Sequence, residues 1–510
     1  MSTGMLRFQF VVTMVAMLVA VAVHAADGPD HGRGGRPNII FLLTDDQRWD
    51  ALGCFGTSVI ETPELDRLAS EGVRFTNAFV TTSICAVSRA SILSGQYARR
   101  HGIDDFSKMF SDEALSQTYP ALFREHGYYT GFIGKWGVGA NELKNLTKAS
   151  TIFDYWAGAS HQSNYWHERT CRYVTDNGID GKANNVCTCP ADARGVAGCE
   201  VRIGRANLRD PVHLTTDIIP QKVAQFLDAR DTQKPFCLSI SFKAPHGPTC
   251  DFPPTLRKLY ADDLMTLPAT ATLADADTLP VFLRASLESD RGRRWAMRRG
   301  RKQVLQENLR QYDRLITGVD RAVGRIRRLL AEHKLAENTV IVFTSDNGHF
   351  FGEHGLFGKW LMYEESIRVP LIIVDPRLPA HAVGRTCDAM ALNIDFAPTM
   401  LDLAAIAVPQ AMQGKSLVPL VHDPSAPLRD GWFYEHHFTL GAPRKIERSE
   451  GVRTARWKYI RYIDQRPICE QLFDLWSDPT ERHDLAGDAD YAHILDDLRG
   501  QWETFSVSLK

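Results

Sequence analysis

The sequence predicts an α/β protein built on a large, mostly parallel, doubly wound sheet flanked by helices, with a small antiparallel sheet in a C-terminal subdomain. Three observations carry that expectation. Short apolar, β-rich runs at 38–43, 236–242 and 339–343 each end in a polar loop, as strands buried on both faces do. Segments with helix punctuation lie between them, and strand alternating with helix yields a parallel sheet wrapped on both sides. After Pro424 the pattern changes to short runs at 452–454, 457–462 and 471–475 separated by turn residues, the signature of an antiparallel sheet. The expected organisation is a leader at 1–25, a main domain at 36–424 and a subdomain at 425–510.

The elements follow in order. Arg7 precedes an uncharged apolar run from 8 to 23, and Val23-His24-Ala25 followed by Ala26 supplies a small-residue cleavage site. This reads as a signal peptide, since a spanning anchor needs about 20 apolar residues and a stop-transfer flank. The mature chain is therefore expected to be secreted or periplasmic, with no stable membrane insertion. Thr62 before Pro63 reads as an N-cap with proline at the first helical position, and Gly72 closes that helix. Further helices are expected at 120–127, 216–229 and, as one long amphipathic element, 303–333.

Composition excludes some functions. With 44% apolar and 24% charged positions among 510 residues, the chain carries a large core and is not disordered. Lys+Arg 59 against Asp+Glu 61 leaves a formal charge of −2, which is not the field of a nucleic-acid binder. Seven of the twelve residues from Arg291 to Lys302 are basic; this run reads either as a steering patch for a polyanion or as the solvated start of the long helix.

Export changes the meaning of the ten cysteines, because disulfides persist in oxidising compartments. Cys171, Cys187, Cys189 and Cys199 crowd a Gly/Asn/Asp-rich stretch and read as a disulfide-stapled insertion in preference to a zinc site, since Cys187 and Cys189 lack the usual two-residue gap. Cys237 with Cys250, and Cys387 with Cys469, are further candidate pairs. The sequon at Asn145-Leu146-Thr147 is an acceptor only in a glycosylating host.

In a doubly wound sheet, ligands bind beyond the carboxyl ends of the strands, where the polar loops fall. Asp45-Asp46 and Asp346-Asn347 are paired oxygen donors at two such ends. Adjacent carboxylates repel unless a cation or a shared proton relieves them, and oxygen-only donors suit Ca²⁺ or Mg²⁺ over zinc. Cys85 stands just ahead of an apolar-periodic segment ending near Gly95, so its sulfur would sit at a helix N-terminus, where free N–H groups and the helix dipole favour an anion. Arg89, one turn on, is placed to pin such a group. His246 is presented between Pro245 and Pro248, and His349 and His354 flank the Asp346 loop.

Taken together, Asp45-Asp46, the Cys85/Arg89 spacing, Gly134-Lys135-Trp136, Pro245-His246, the stretch from Thr344 to Pro370 and the C-terminal runs Arg456-Trp457-Lys458-Tyr459 and Leu472-Phe473-Asp474-Leu475 resemble the type I sulfatases of the alkaline-phosphatase-like superfamily. The resemblance runs from about Arg36 to the end. It implies that Cys85 is oxidised to formylglycine by dedicated machinery and that its hydrate supplies the nucleophile. Asp45, Asp46, Asp346 and Asn347, with the group derived from Cys85, would bind Ca²⁺ in preference to Mg²⁺. Arg89 and Lys135 would stabilise the hydrate and the sulfate charge, while Lys359 and His246 would help the leaving alkoxide depart. The implied substrate is a sulfated carbohydrate or small sulfate ester; the alternatives are a phosphodiesterase or phosphonate monoester hydrolase of the same superfamily, or a degenerate glycan-binding member. Two positions depart from the family pattern: Val87 stands where Pro or Ala is usual, and Trp136 is followed by Gly137 and Val138 where a histidine is common.

Overall fold

The computed structural model describes residues 35–57, 59–139, 143–159, 165, 213–294, 302–440 and 445–509. Its strands are β1 Asn38–Asp45, β2 Val73–Phe79, β3 Tyr129–Lys135, β4 Tyr155–Ala159, β5 Phe236–Pro245, β6 Thr339–Ser345, β7 Phe350–Phe351, β8 Phe357–Gly358, β9 Arg368–Val374, β10 Arg385–Cys387, β11 Ala391–Leu392, β12 Gly431–His436, β13 Ser449–Thr454, β14 Trp457–Tyr462 and β15 Cys469–Asp474. The main sheet runs β10-β2-β9-β6-β1-β5-β3-β4, with β11 beside β2. Its pairs are parallel except where β9 runs antiparallel to β2 and β6.

Alternation along the strands explains why both faces are covered. In β1, Ile39, Phe41 and Leu43 enter one core cluster, while Ile40 and Leu42 enter another on the opposite face. Period-2 geometry allows this only when each face is packed. The long helix is Lys302–Glu332, and its Leu305, Tyr312, Leu315, Ile316, Val319, Val323 and Ile326 join the second cluster at the three- and four-residue spacing of one helix face.

The C-terminal sheet runs β12-β13-β14-β15. It is backed by the helix Ala492–Ser508, which the sequence analysis does not foresee; Leu495 and Leu498 pack with Val452, Tyr459 and Leu472. Arg36–Lys510 forms one compact unit, and the C-terminal sheet is tied to the main body by buried ion pairs. Lys458 reaches Glu364 at 2.9 Å and Glu481 at 2.6 Å, and Arg99 reaches Glu435 at 2.8 Å. No described helix is long and apolar enough to cross a membrane.

Two expectations are corrected. Cys237, Cys250, Cys387 and Cys469 are all free thiols. Cys237 lies near the start of β5 and Cys250 beyond its end, a separation of over 20 Å along an extended strand at about 3.3 Å per residue; Cys387 and Cys469 lie in different sheets. The helix Pro63–Glu71 does begin after Thr62, but the Thr62 side chain does not cap it. Asp320 of the long helix does so instead, its Oδ1 accepting from Glu64 N at 2.9 Å and Leu65 N at 2.8 Å. The leader and the cysteine cluster at 171–199, with its zinc alternative, lie outside the described residues.

Asp320→Ala leaves two helix N–H groups without their acceptor and is expected to cost about 1–2 kcal/mol. Asp320→Asn keeps an accepting oxygen and should cost less. Thermal melting of both variants checks the order; equal melting points for the two would contradict the capping role.

Candidate active site

The site stands at the carboxyl ends of four neighbouring strands. β1 and β6 pair in parallel, with Thr44 opposite Ser345, so the next residues, Asp45-Asp46 and Asp346-Asn347, leave the sheet side by side. β5 lies on the other side of β1 and delivers His246 from its end, and β3 beyond it delivers Lys135. Asp46 turns out of the strand at φ 64°, a left-handed conformation that aspartate tolerates better than most residues. Its N–H donates to Asp346 Oδ1 at 3.2 Å, and its carbonyl accepts from Tyr312 OH at 2.7 Å.

The helix Cys85–Ser94 includes Cys85 as its first residue, where the sequence pattern places it just ahead of the helix, and ends at Gly95 in the left-handed region. Cys85 is 3% exposed. Val87 is buried in a small cluster with Ile84, Ala98, Leu287 and Trp360. One turn on, Arg89 ties the helix to both acidic strand ends: its Nε donates to Asp346 Oδ2 at 2.8 Å, its Nη2 lies 3.6 Å from Asp45 Oδ2, and its Nη1 donates to the Lys135 carbonyl at 2.8 Å and to Ser241 Oγ. Lys135 pairs with Asp45 and Lys359 with Asp46. Asn347 Nδ2 donates to Asp46 Oδ1 at 2.6 Å, and His246 Nε2 lies 3.6 Å from Asp46 Oδ2.

Electrostatics follow from that packing. Burial alone would raise the carboxyls of Asp45 and Asp46, but Lys135 holds Asp45 below its ordinary value and Lys359 holds Asp46 far below it, with His246 assisting at both. Asp346 goes the other way: burial and the neighbouring Asp45 push it up to about 6 against the pull of Arg89. Burial would lower Lys359, yet Asp46 and then the Cys85 sulfur raise it. The same sulfur, after Asp346 and Asp45, helps to raise Arg89, so Cys85 faces both cations. Burial lowers His246.

The structure thus brings Asp45, Asp46, Cys85, Arg89, Lys135, His246, Asp346, Asn347 and Lys359 to one place. The ligand atoms of Asp45, Asp46 and His246 lie within 4.8 Å of one another. Asp45 Oδ1 is buried with no hydrogen-bond partner among the described residues, and an ion or a water at that point would satisfy it. His349 borders the site, packing on Phe351 and Phe357, and burial pushes it down to about 4. His354 does not belong to it: its ring packs against Tyr363 and its charged neighbours are Asp275, Asp478 and Arg482. Tyr312 and Ser241 are supporting residues that sequence reasoning missed. Ser241 had a signal, since it interrupts an apolar strand on alternate positions with Ser239 and Lys243.

Gly137 sits at φ 85°, and a Cβ there would lie 2.6 Å from Arg89 Cδ and 3.6 Å from Lys135 Cε. The arginine side chain occupies the space that any larger residue would need. Asn145 donates to the Gly139 carbonyl at 2.7 Å from within the helix Leu143–Ser150. Of the basic run, Arg291 lies over the Trp360 ring at 5.0 Å and Arg294 pairs with Asp290 at 2.5 Å; residues 295–301 lie outside the described residues.

Comparison with known proteins adds kinship to this geometry. A family model described as sulfatase matches residues 37–406, and one described as N-sulphoglucosamine sulphohydrolase, C-terminal, matches 352–507. The chain is 31% identical to an N-acetylglucosamine-6-O-sulfatase of Bacteroides thetaiotaomicron, covering 94% of this chain and 88% of that protein. It is 30% identical to an arylsulfatase of Clostridium perfringens, covering 91% and 93%. Its fold is similar to a solved protein bound to its substrate D-glucosamine-2-N,6-O-disulfate, with TM-score 0.73, 27% identity and coverage of 93% and 98%. A phosphonate monoester hydrolase of Agrobacterium radiobacter, at TM-score 0.71 and 21% identity over 93% and 96% of the two chains, shares the fold.

Gly137→Ala is expected to displace Arg89 and lower kcat/KM by about tenfold or more, because the new methyl meets a buried side chain in a backbone conformation that alanine resists. Steady-state kinetics beside a melting curve check this; unchanged kinetics would mean that Arg89 moves aside without consequence.

Proposed function

The chain belongs to the sulfatase family and is a sulfuric ester hydrolase; from that premise we propose that it removes sulfate from a sulfated amino sugar or related glycan, using a formylglycine made from Cys85 and a bound Ca²⁺. The observation that carries the proposal is the convergence of Asp45, Asp46, Asp346 and Asn347, with an unpartnered Asp45 oxygen, around the N-terminus of the helix that Cys85 begins. The glucosamine substrates named for two relatives support the substrate class.

The donor set fits the ion. Four oxygen-bearing side chains suit Ca²⁺, with Mg²⁺ second, and a divalent charge would offset the charge of the three buried carboxylates. When bound, it supplies Lewis-acid polarisation of a sulfate oxygen. Oxidation of Cys85 by the formylglycine-generating machinery would supply a hydrate oxygen as nucleophile.

The remaining work falls to side chains. Arg89, held by Asp346 and Ser241, keeps its guanidinium against the Cys85 position, where it orients the nucleophile and takes up negative charge. Lys135, bridging to Asp45, presents a second cation to the sulfuryl oxygens. Lys359 stays an ammonium because Asp46 holds its proton, so it acts by charge on the departing oxygen. His246, a quarter exposed, holds its Nδ1 on the Gly247 carbonyl at 2.9 Å and is placed to help the alkoxide depart. Gly137 removes the histidine expected after the Gly134-Lys135 pair, and the arginine side chain fills its place.

Export is part of the proposal, supported by Arg7, the apolar run after it and the small residues before Ala26. Edman sequencing of the mature protein is expected to begin at Ala26; an intact Met1 in fractionated cells would refute export.

Mass spectrometry of the Cys85 peptide from the native host should find aldehyde in place of thiol, and thiol alone would overturn the nucleophile. Cys85→Ala is expected to lower kcat by at least about 10³-fold while leaving the melting point nearly unchanged. Chelation should remove activity and Ca²⁺ restore it. The ratio of kcat/KM on sulfate and phosphate esters of one alcohol decides the reaction class, and a preference for phosphate would refute the sulfatase reading.

A further inference from the structure

Behind the turn at Asp46 lies a cavity of about 630 Å³, lined by none of the residues given a catalytic role above. Tyr312 and Arg48 stand between it and that turn: the tyrosine hydroxyl donates to the Asp46 carbonyl at 2.7 Å and accepts from Arg48 N at 2.8 Å. Leu309, Tyr312 and Asp313 enter from the long helix at the three- and four-residue spacing of one face. Trp49, Met265 and Leu267 add apolar surface.

The charges of this wall do not balance. Asp50, Asp313, Glu353, Glu364 and Glu365 border the cavity against Arg48 and Arg368. Arg48 donates to Asp50 Oδ1 and Oδ2 at 2.8 Å each and also pairs with Glu353. Glu364 is met by Lys458 at 2.9 Å, Arg453 at 3.4 Å and Arg368 at 3.8 Å, and the Arg368 guanidinium lies over the Trp49 ring at 3.9 Å. That leaves Asp313 and Glu365, neither of which enters an ion pair among the described residues. Asp313 is 7% exposed, and Glu365 Oε2 is buried with no hydrogen-bond partner. Burial and the facing Asp50 push Asp313 up to about 8, with Arg48 pulling the other way. A carboxylate held at a dry wall without a counter-charge is costly, and a cationic ligand in the cavity removes that cost.

We propose that this cavity binds an aliphatic polyamine, one ammonium on Asp313 and another on Glu365, with the methylene chain along Leu309, Met265 and Leu267. The volume is that of an organic-ligand pocket, roughly 300–1,000 Å³. A single metal ion fits less well: among the described residues, the groups that converge closely enough for one are Asp45, Asp46 and His246. Linked ammoniums meet both carboxylates in one molecule, while the carbons between them cover apolar surface. An arriving ammonium displaces the Asp313 proton, so affinity rises from about pH 6.5 to about pH 8.5. This site stands apart from the sulfatase chemistry and does not depend on it.

Calorimetry on the whole protein with spermidine as the probe, at about pH 8 and ~0.15 M salt, tests the proposal. Spermidine is expected to bind one to one with Kd of about 100 µM or below, and propylamine, with a single ammonium, about tenfold or more weakly. Asp313→Asn and Glu365→Gln should each raise the spermidine Kd about tenfold or more. Without ligand, both variants should melt at or above wild type, because each loses an uncompensated buried charge. No saturable binding by the wild-type protein overturns the inference, and so does a Kd unchanged in both variants, which marks attraction to the general surface. Equal affinity for propylamine overturns the two-point contact, and a lower melting point in either variant shows that its carboxylate was paired after all. Tighter binding of Ca²⁺ or Mg²⁺ than of spermidine, lost in Asp313→Asn, replaces the polyamine with a metal ion.

Discussion

Three buried carboxylates brought to one point set the terms for the rest of the molecule. Asp45, Asp46 and Asp346 are each less than 5% exposed, and like charges in a low-dielectric pocket repel strongly unless cations meet them. The pairing of β1 with β6 creates the problem, and Arg89, Lys135 and Lys359 offset it from three directions. Because Arg89 spans Asp45 and Asp346, the helix that begins with Cys85 is docked by the same interaction that balances the charge. The sulfur is where it is because the arginine one turn later has two carboxylates to satisfy. Removing any of these cations would leave an uncompensated buried charge, which costs more than the pair itself contributes.

The surrounding structure holds that arrangement still. Tyr312 accepts from Arg48 N at 2.8 Å and donates to the Asp46 carbonyl, clamping the left-handed turn from behind. The C-terminal sheet reaches in from the other side: Tyr434 of β12 accepts from Ser83 N at 3.5 Å and donates to the Trp360 carbonyl at 3.3 Å. One side chain thereby touches the segments that precede Cys85 and follow Lys359. Lys458 of β14 braces Glu364 a few residues on. The small sheet thus supports the catalytic edge through defined contacts.

Legibility in the sequence varied with the range of the interaction. Cys85 at a helix start, Gly95 at its end and Asp pairs after apolar strands are local patterns, and each appears where local rules put it. Thr62 met every local criterion for a cap, yet Asp320, more than 250 residues away, makes the bonds. The cysteines of β5 and β10 matched an oxidising compartment but are free thiols. His354 follows His349 by only five residues, and the turn between them sends it to Tyr363.

By itself, the sequence determined the alternation of strand and helix, the polar loops at strand ends and the residue types able to hold a hard cation beside an oxidisable sulfur. These follow from hydrophobic period, turn chemistry and donor identity, which are properties of neighbouring residues. Only the tertiary structure decided which carboxylate meets which cation, that Arg89 fills the space beside Gly137, and that β9 runs against its neighbours. Those outcomes depend on strand order and on side-chain volumes contributed by segments tens to hundreds of residues apart, and no local pattern encodes them.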